Sequence, residues 1–434
     1  MTHPYDPAFE VNIRLAEELL SLTRAAVETP AQSAVVRESP PLLSPADAIV
    51  AHIEVNDGHG VGVLLRRLFG HYPSILSVRS QDHFGGRQDF GALALRIGHE
   101  DLSLDAARGK VRQALGENTV GRILAVPYYP ADVLNALAIQ ELSGAPLALY
   151  LMDDQNITSN GIPDELMGRL LERAALRLAI SPELAAAYEA KFEARFWLMP
   201  PVVPSRLILD RPLPAAEVLA APRRGVILGN IWGQRWLEKL RETVRGTGIR
   251  LTWLSTNYLF YLEGSAEELA ADGIDIPAGA PLPDPELVEA LRRAAFAVVP
   301  TGTLDEGDDR KFLALLSLPS RIPFLLATAH LPILVIGDER TAAARFVRDL
   351  GIGMVTPYDG GRFTEAVAKI TETRTNMALR RRALALAARF TDVGAAEWIW
   401  QSLARGEAFD LRYEDLMRRP RPEAAALARR ERTS

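Results

Sequence analysis

The sequence predicts an α/β protein made of two tandem doubly wound, Rossmann-like domains, with an N-terminal helical extension and C-terminal helices. Three observations carry that expectation. Short apolar runs such as AIVAHIEV (48–55), PLALYLM (146–152) and PILVIG (332–337) have strand length, and each gives way to glycine or acidic residues. Stretches of helical length separate them, so strand and helix alternate as in a mostly parallel sheet covered on both faces. The alternation breaks across 200–224, which holds six prolines, and then restarts.

Taken in order, residues 1–47 read as an extension: a helical spacing of Phe9, Ile13, Leu15, Leu19 and Leu22, then the linker ESPPLLSP. A first domain is expected over 48–205. Its strands are 48–55, 74–80, 92–97, 122–128, 146–152, 176–180 and 195–201; its helices are 56–70 (with the turn that opens it), 103–116, 131–142, 163–175 and 182–192. Residues 206–224 read as a linker. A second domain over 225–375 takes strands at 225–230, 250–256, 296–300 and 332–337. Helices are expected from Trp232, at 284–294, near 319–329 and at 340–350. Residues 376–434 should be helices that end in a basic tail.

Composition narrows the function. With 48% hydrophobic and 24% charged residues the chain has enough apolar material to fold, which excludes a mainly disordered protein. A net charge of −6 argues against a dedicated nucleic-acid binder. Cysteine is absent, so disulfides, thiolate metal sites and cysteine nucleophiles drop out together. The start lacks a basic segment followed by an apolar one, and FLLATAHLPILVIG (324–337) is too short to span a bilayer. Arginine outnumbers lysine 44 to five amid heavy alanine use, a genomic signature that suggests a bacterial cytoplasmic protein. Membrane contact, if any, would be peripheral and through the basic tail.

Chemistry-bearing residues gather at the ends of the expected strands. In NDGHGVG (56–62), Gly60 and Gly62 allow close approach of backbone to a ligand at a helix start, and His59 offers a proton acceptor. Residue 65 is leucine where the dinucleotide fingerprint needs glycine. Asp82 beside His83 supplies two titratable groups after the second strand. Asp153 and Asp154 end the strand ALYLM; adjacent strand residues face opposite ways, so one is expected to cap a turn and the other to meet substrate. Gly229 and Asn230 place amides at a helix start suited to phosphate. In SLPSRIP (317–323), Ser320, Arg321 and the helix dipole converge on a position for a diphosphate. No GxxxxGKS/T loop, HExxH or GxSxG is present, and LRYEDLMRRP (411–420), though similar to a sulfotransferase segment, has no phosphate loop upstream.

Together these segments resemble the GT-B glycosyltransferases, in particular the retaining family-4-type (group 1) enzymes. SLPSRIPFLLATAHLPILVIG is similar to their serine-proline-serine-(lysine or arginine) motif and the helix and strand after it. ALYLMDDQN resembles the apolar strand ending in "MDD" of bacterial members, and NDGHGVG their glycine-rich acceptor-side turn. The similarity covers roughly 48–405 with segment order kept. It implies metal-independent, retaining transfer from a nucleotide-sugar co-substrate, without a cofactor, to a saccharide, lipid-linked or protein acceptor. Ser320, Arg321, Gly229, Asn230, Thr301, Gly302 and Ser317 would hold the donor. Gly60, Gly62, Asp153 and Asp154 would meet the acceptor, and Asp82, His83 or His59 would orient its hydroxyl. Many relatives carry two glutamates that register places at Leu316 and Phe324; Asp305, Glu306, Asp308 and Asp309 stand nearby. The same fold hosts nucleotide-sugar 2-epimerases, and the missing glutamates leave a non-catalytic glycan- or partner-binding protein as a further reading.

Overall fold

The computed structural model describes residues 45–86, 88–159, 161–255, 262–278 and 282–417, all within one compact unit. The helix expected in the N-terminal extension and the basic tail lie outside them.

The first domain runs β1 (Ala46–Ala51), α1 (Gly60–Phe69), β2 (Ile75–Arg79), β3 (Leu93–Arg96), α2 (Leu104–Leu115), β4 (Val120–Ala125), α3 (Pro130–Ser143), β5 (Leu147–Leu151), α4 (Asp164–Arg173), β6 (Leu176–Ala179), α5 (Pro182–Phe192) and β7 (Trp197–Leu198). Its strands form one parallel sheet ordered β3-β2-β1-β4-β5-β6-β7. Helices cover both faces, which explains the unbroken apolar runs: every residue of β5 is buried. Each such leucine contributes about 1.5–3 kcal/mol by leaving water.

After a short helix, α6 (Ala215–Val218), the second domain runs β8 (Arg224–Leu228), α7 (Gln234–Val244), β9 (Arg250–Leu254), α8 (Ala266–Asp272), β10 (Ile274–Asp275), α9 (Asp284–Arg292), β11 (Ala297–Pro300), α10 (Lys311–Leu316), α11 (Arg321–Ala329), β12 (Ile333–Ile336), α12 (Ala342–Leu350), β13 (Gly353–Thr356), α13 (Gly360–Thr371) and α14 (Thr373–Ala387). This sheet is also parallel, ordered β10-β9-β8-β11-β12-β13. The chain then returns to the first domain through α15 (Ala395–Arg405) and α16 (Arg412–Met417). Trp400 of α15 packs 5.3 Å from the Phe69 ring beneath the Arg122 guanidinium, and Tyr72 donates to Glu397 at 2.8 Å. The two chain crossings run side by side, tied by Val203 N–H to Phe390 O at 2.7 Å and Asp392 N–H to Val203 O at 3.0 Å.

Several elements differ from the sequence reading, among them the short helices α6, α8 and α10, which it did not expect. β1 begins at Ala46 and ends at Ala51, so His52–Val55 belong to the loop. The strand expected at 195–201 shrinks to two residues because Pro200 and Pro201 have no N–H to pair. β10 is too short to leave a pattern. β13 starts at Gly353, where a Cβ would lie 1.8 Å from the Ile333 carbonyl oxygen, so close strand approach requires a residue that otherwise signals a turn. No described helix is long and apolar enough to cross a membrane.

Candidate functional site

In each sheet the strand order reverses once, between β1 and β4 and between β8 and β11. Ligands in doubly wound folds bind outside the strand C-termini at that reversal. Here the two sets of C-terminal loops meet. A methyl group on Gly60 would sit 3.7 Å from the Ser320 hydroxyl, Ser181 donates its hydroxyl to Leu316 O, and Arg345 lies 3.6 Å from Glu183. The site is thus a crevice between the domains.

On the second domain's wall, Gly229 adopts φ +74°, and its carbonyl accepts the Trp253 indole N–H at 2.8 Å. A Cβ there would lie 3.8 Å from Arg321 Nη1. Arg321 opens α11 and donates Nη1–H to Leu228 O at 2.8 Å. Burial alone pushes its guanidinium down to about 10, and among the described residues no carboxylate offsets it. Ser320 precedes it, with a hydroxyl that does not cap the helix. Asn230 accepts from Ser255 Oγ at 2.6 Å, Thr301 is buried with its carbonyl holding Tyr358 OH at 2.6 Å, and Gly302 packs against Ala314 and Asp308 where a Cβ would clash. Leu316 is half-buried at the end of α10, and Phe324 is buried with Arg67 5.2 Å above its ring. Of the nearby acids, Asp308 is spent on Trp236 Nε1 and the Leu304 and Arg310 amides, while Asp305 pairs with Arg235 and Asp309 with Arg310. Glu306 is exposed.

The first domain's wall is organised by a residue the sequence reading passed over. Glu54 is buried, which by itself raises a carboxyl's pKa. Its oxygens accept the His83, Phe84 and Gly86 amides at 2.8, 2.9 and 2.6 Å, and these bonds hold it below the usual range. His59 spends both ring nitrogens on its own loop: Nε2 bonds Glu54 O at 2.8 Å and Nδ1 accepts from Gly62 N–H at 3.3 Å, capping α1. Gly62 has no room for a Cβ, which would strike Asn56 O at 2.2 Å. Asp82 pairs with Arg79 at 2.6 Å and Arg96 at 3.3 Å, and the exposed His83 meets Gln81 Oε1 at 3.2 Å.

At the end of β5, Asp154 accepts from the Asn156, Ile157 and Thr158 amides and the Tyr188 hydroxyl, so it fixes the turn. Asp153 instead accepts from Tyr128 OH and faces the second domain. Burial raises its carboxyl, partly offset by Tyr128 and by the Ser317 hydroxyl, which lies near it without completing a hydrogen bond. Two further buried groups were missed, His52 and Asp132. Their only sequence signal was a polar residue interrupting an apolar run. No three described His, Asp or Glu side chains converge as a metal-binding set.

Two Rossmann-like domains facing each other across such a crevice, with C-terminal helices returning to the first, define the GT-B fold. No family model and no curated sequence matches the chain. Among solved structures it is similar to the HepE protein of Anabaena in complex with UDP (14% identity, TM-score 0.58, 83% of this chain and 100% of that one). WaaG, a glycosyltransferase involved in lipopolysaccharide biosynthesis, is also similar (12%, TM-score 0.52, 82% and 99%). So is a UDP-N-acetylglucosamine 2-epimerase (12%, TM-score 0.50, 84% and 99%).

Proposed function

We propose that the chain transfers a glycosyl group from a nucleoside-diphosphate sugar to a saccharide, lipid-linked or protein acceptor, retaining anomeric configuration without a metal. Arg321 carries the reading. It is a desolvated cation at the positive end of a helix dipole, where a positive charge is disfavoured, and among the described residues one carbonyl is its sole hydrogen-bond partner. A diphosphate in front of Ser320 and Arg321, bounded by Gly229 and Gly60, would supply the missing negative charge. As the glycosidic bond breaks, charge grows on the leaving phosphate, and donors fixed in advance stabilise it most. The opposite wall, with Asp153, Asp82 and His83, would receive the acceptor. The involvement of WaaG in lipopolysaccharide biosynthesis favours bacterial polysaccharide assembly, by a cytoplasmic protein at most peripheral to the membrane.

Calorimetric titration with UDP, GDP, dTDP, ADP and CMP tests the donor site. A ligand at a hundredfold over its dissociation constant should stabilise the fold by about 2.7 kcal/mol. Silence from all five with folded protein would refute the reading. The similarity to a 2-epimerase favours a second one, in which donor is turned over without any acceptor; product analysis separates them.

A further inference from the structure

The reversal of strand order in the first sheet sets the ends of β1 and β4 side by side. His52 follows β1 and Tyr128 follows β4, and their rings stack with centroids 4.1 Å apart and planes 26° off parallel. His52 is only 7% exposed, and its Nδ1 has no hydrogen-bond partner among the described residues. The other histidines of this wall are committed, His59 to its helix cap and His83 to Gln81. The support beneath is fixed too: the His52 carbonyl accepts from Gln81 N–H at 3.0 Å and Ser80 Oγ at 3.3 Å, and Tyr128 is held by Asp153.

Burial, reinforced by His59 and His83, keeps the His52 pKa well below 6.5, so the ring is neutral. A neutral imidazole offers one donor and one acceptor, the same pair a hydroxyl carries. A buried polar atom left unpaired costs about 1–3 kcal/mol, and nearby Glu54, Asp154 and His59 have partners where His52 Nδ1 has none among the described residues.

We propose that His52 binds a ring hydroxyl of a saccharide, making the β1–β4 junction a sugar subsite opposite Ser320 and Arg321. That this saccharide is the acceptor rests on the transferase reading; that it binds here does not. The ring of His59 lies 5.4 Å from His52, and Gly60 beside it faces Ser320, which puts His52 on the first domain's wall behind the loop that meets the second domain. His52 acts by direct contact, while Tyr128 and Asp153 position it.

Saturation-transfer NMR with the methyl glycosides of glucose, galactose, mannose and N-acetylglucosamine, with and without UDP, provides the test. At least one glycoside should bind wild-type protein, and its affinity should fall at least fivefold in His52→Phe, which keeps the stack on Tyr128 but removes both nitrogens. His71→Ala, an exposed histidine beyond the C-terminal end of α1, should keep binding, and His52→Phe should keep wild-type UDP affinity. No bound glycoside, or equal binding by wild type and His52→Phe, overturns the proposal. UDP failing to bind while the glycosides behave as expected would remove the donor reading alone.

Discussion

Arg321 and Arg380 are the same chemical group in the same domain, and burial pushes both guanidinium groups down to about 10. They differ in what they touch. Arg380 on α14 reaches Ala329 O at 3.0 Å, Ala294 O at 2.7 Å, Ala295 O at 3.4 Å and Asn376 Oδ1 at 2.9 Å. Ala329 ends α11, so the cation meets the negative end of a dipole and satisfies carbonyls the helix leaves open. Arg321 sits at the other end of the same helix with one carbonyl. Burial marks both; only the count of partners separates a strut from a residue awaiting a ligand.

The largest effect follows at the strut. Arg380→Met keeps the apolar stem but orphans buried carbonyls, and should cost about 3–5 kcal/mol in denaturant unfolding. Nucleotide affinity of the folded fraction should be unchanged. Arg321→Ala should invert this pattern: UDP affinity falls about thirtyfold, about 2 kcal/mol, while stability holds or rises because an ill-placed cation is gone. Equal stability losses in both variants would erase the distinction.

Buried carboxylates of the first domain repeat the contrast. Glu54 has three amides from its neighbouring loop and stays charged. Asp132 gives Oδ2 to the Tyr128 and Tyr129 amides at 2.9 and 2.8 Å, but Oδ1 is buried and unpaired, and burial raises its carboxyl to about 7. The signs are opposite. Asp132 binds a proton more tightly folded than unfolded, so its contribution to stability falls as pH rises from about 4 to about 7. Glu54 contributes above its unfolded pKa, and that contribution is lost as pH drops through the folded one. Glu54→Gln should therefore cost about 1–2 kcal/mol at pH 7. Asp132→Asn should match wild type at about pH 4 and exceed it at about pH 8, measured by urea unfolding.

What the sequence disclosed follows the same physics. β5 and β12, buried on both faces, read as apolar runs because nothing else tolerates that environment. Ser320 and Arg321 could be singled out as candidates because a serine, an arginine and a helix start are neighbours in the chain. His52 and Glu54 were not, since both lie within AIVAHIEV and acquire meaning only from Tyr128 and the 83–86 amides, brought there by β4 and β2. His59 misled in the opposite way: a histidine between glycines suggests a proton acceptor, yet the loop's own geometry consumes it as a cap.

The smallest effect tests what lies beside Arg321. Gly229 has φ +74°, so Gly229→Ala should cost about 1 kcal/mol from backbone strain alone, its Cβ lying at ordinary contact distance, 3.8 Å, from the guanidinium. Asparagine tolerates this conformation better than alanine, so Gly229→Asn should recover part of that stability. If glycine is there only for its φ, UDP affinity recovers along with the fold. If it keeps the space before Arg321 open for a phosphate, the asparagine side chain fills that space and affinity stays low while stability returns. The second outcome is expected, because Arg321 has a single protein partner among the described residues and needs the opening that a larger residue would close.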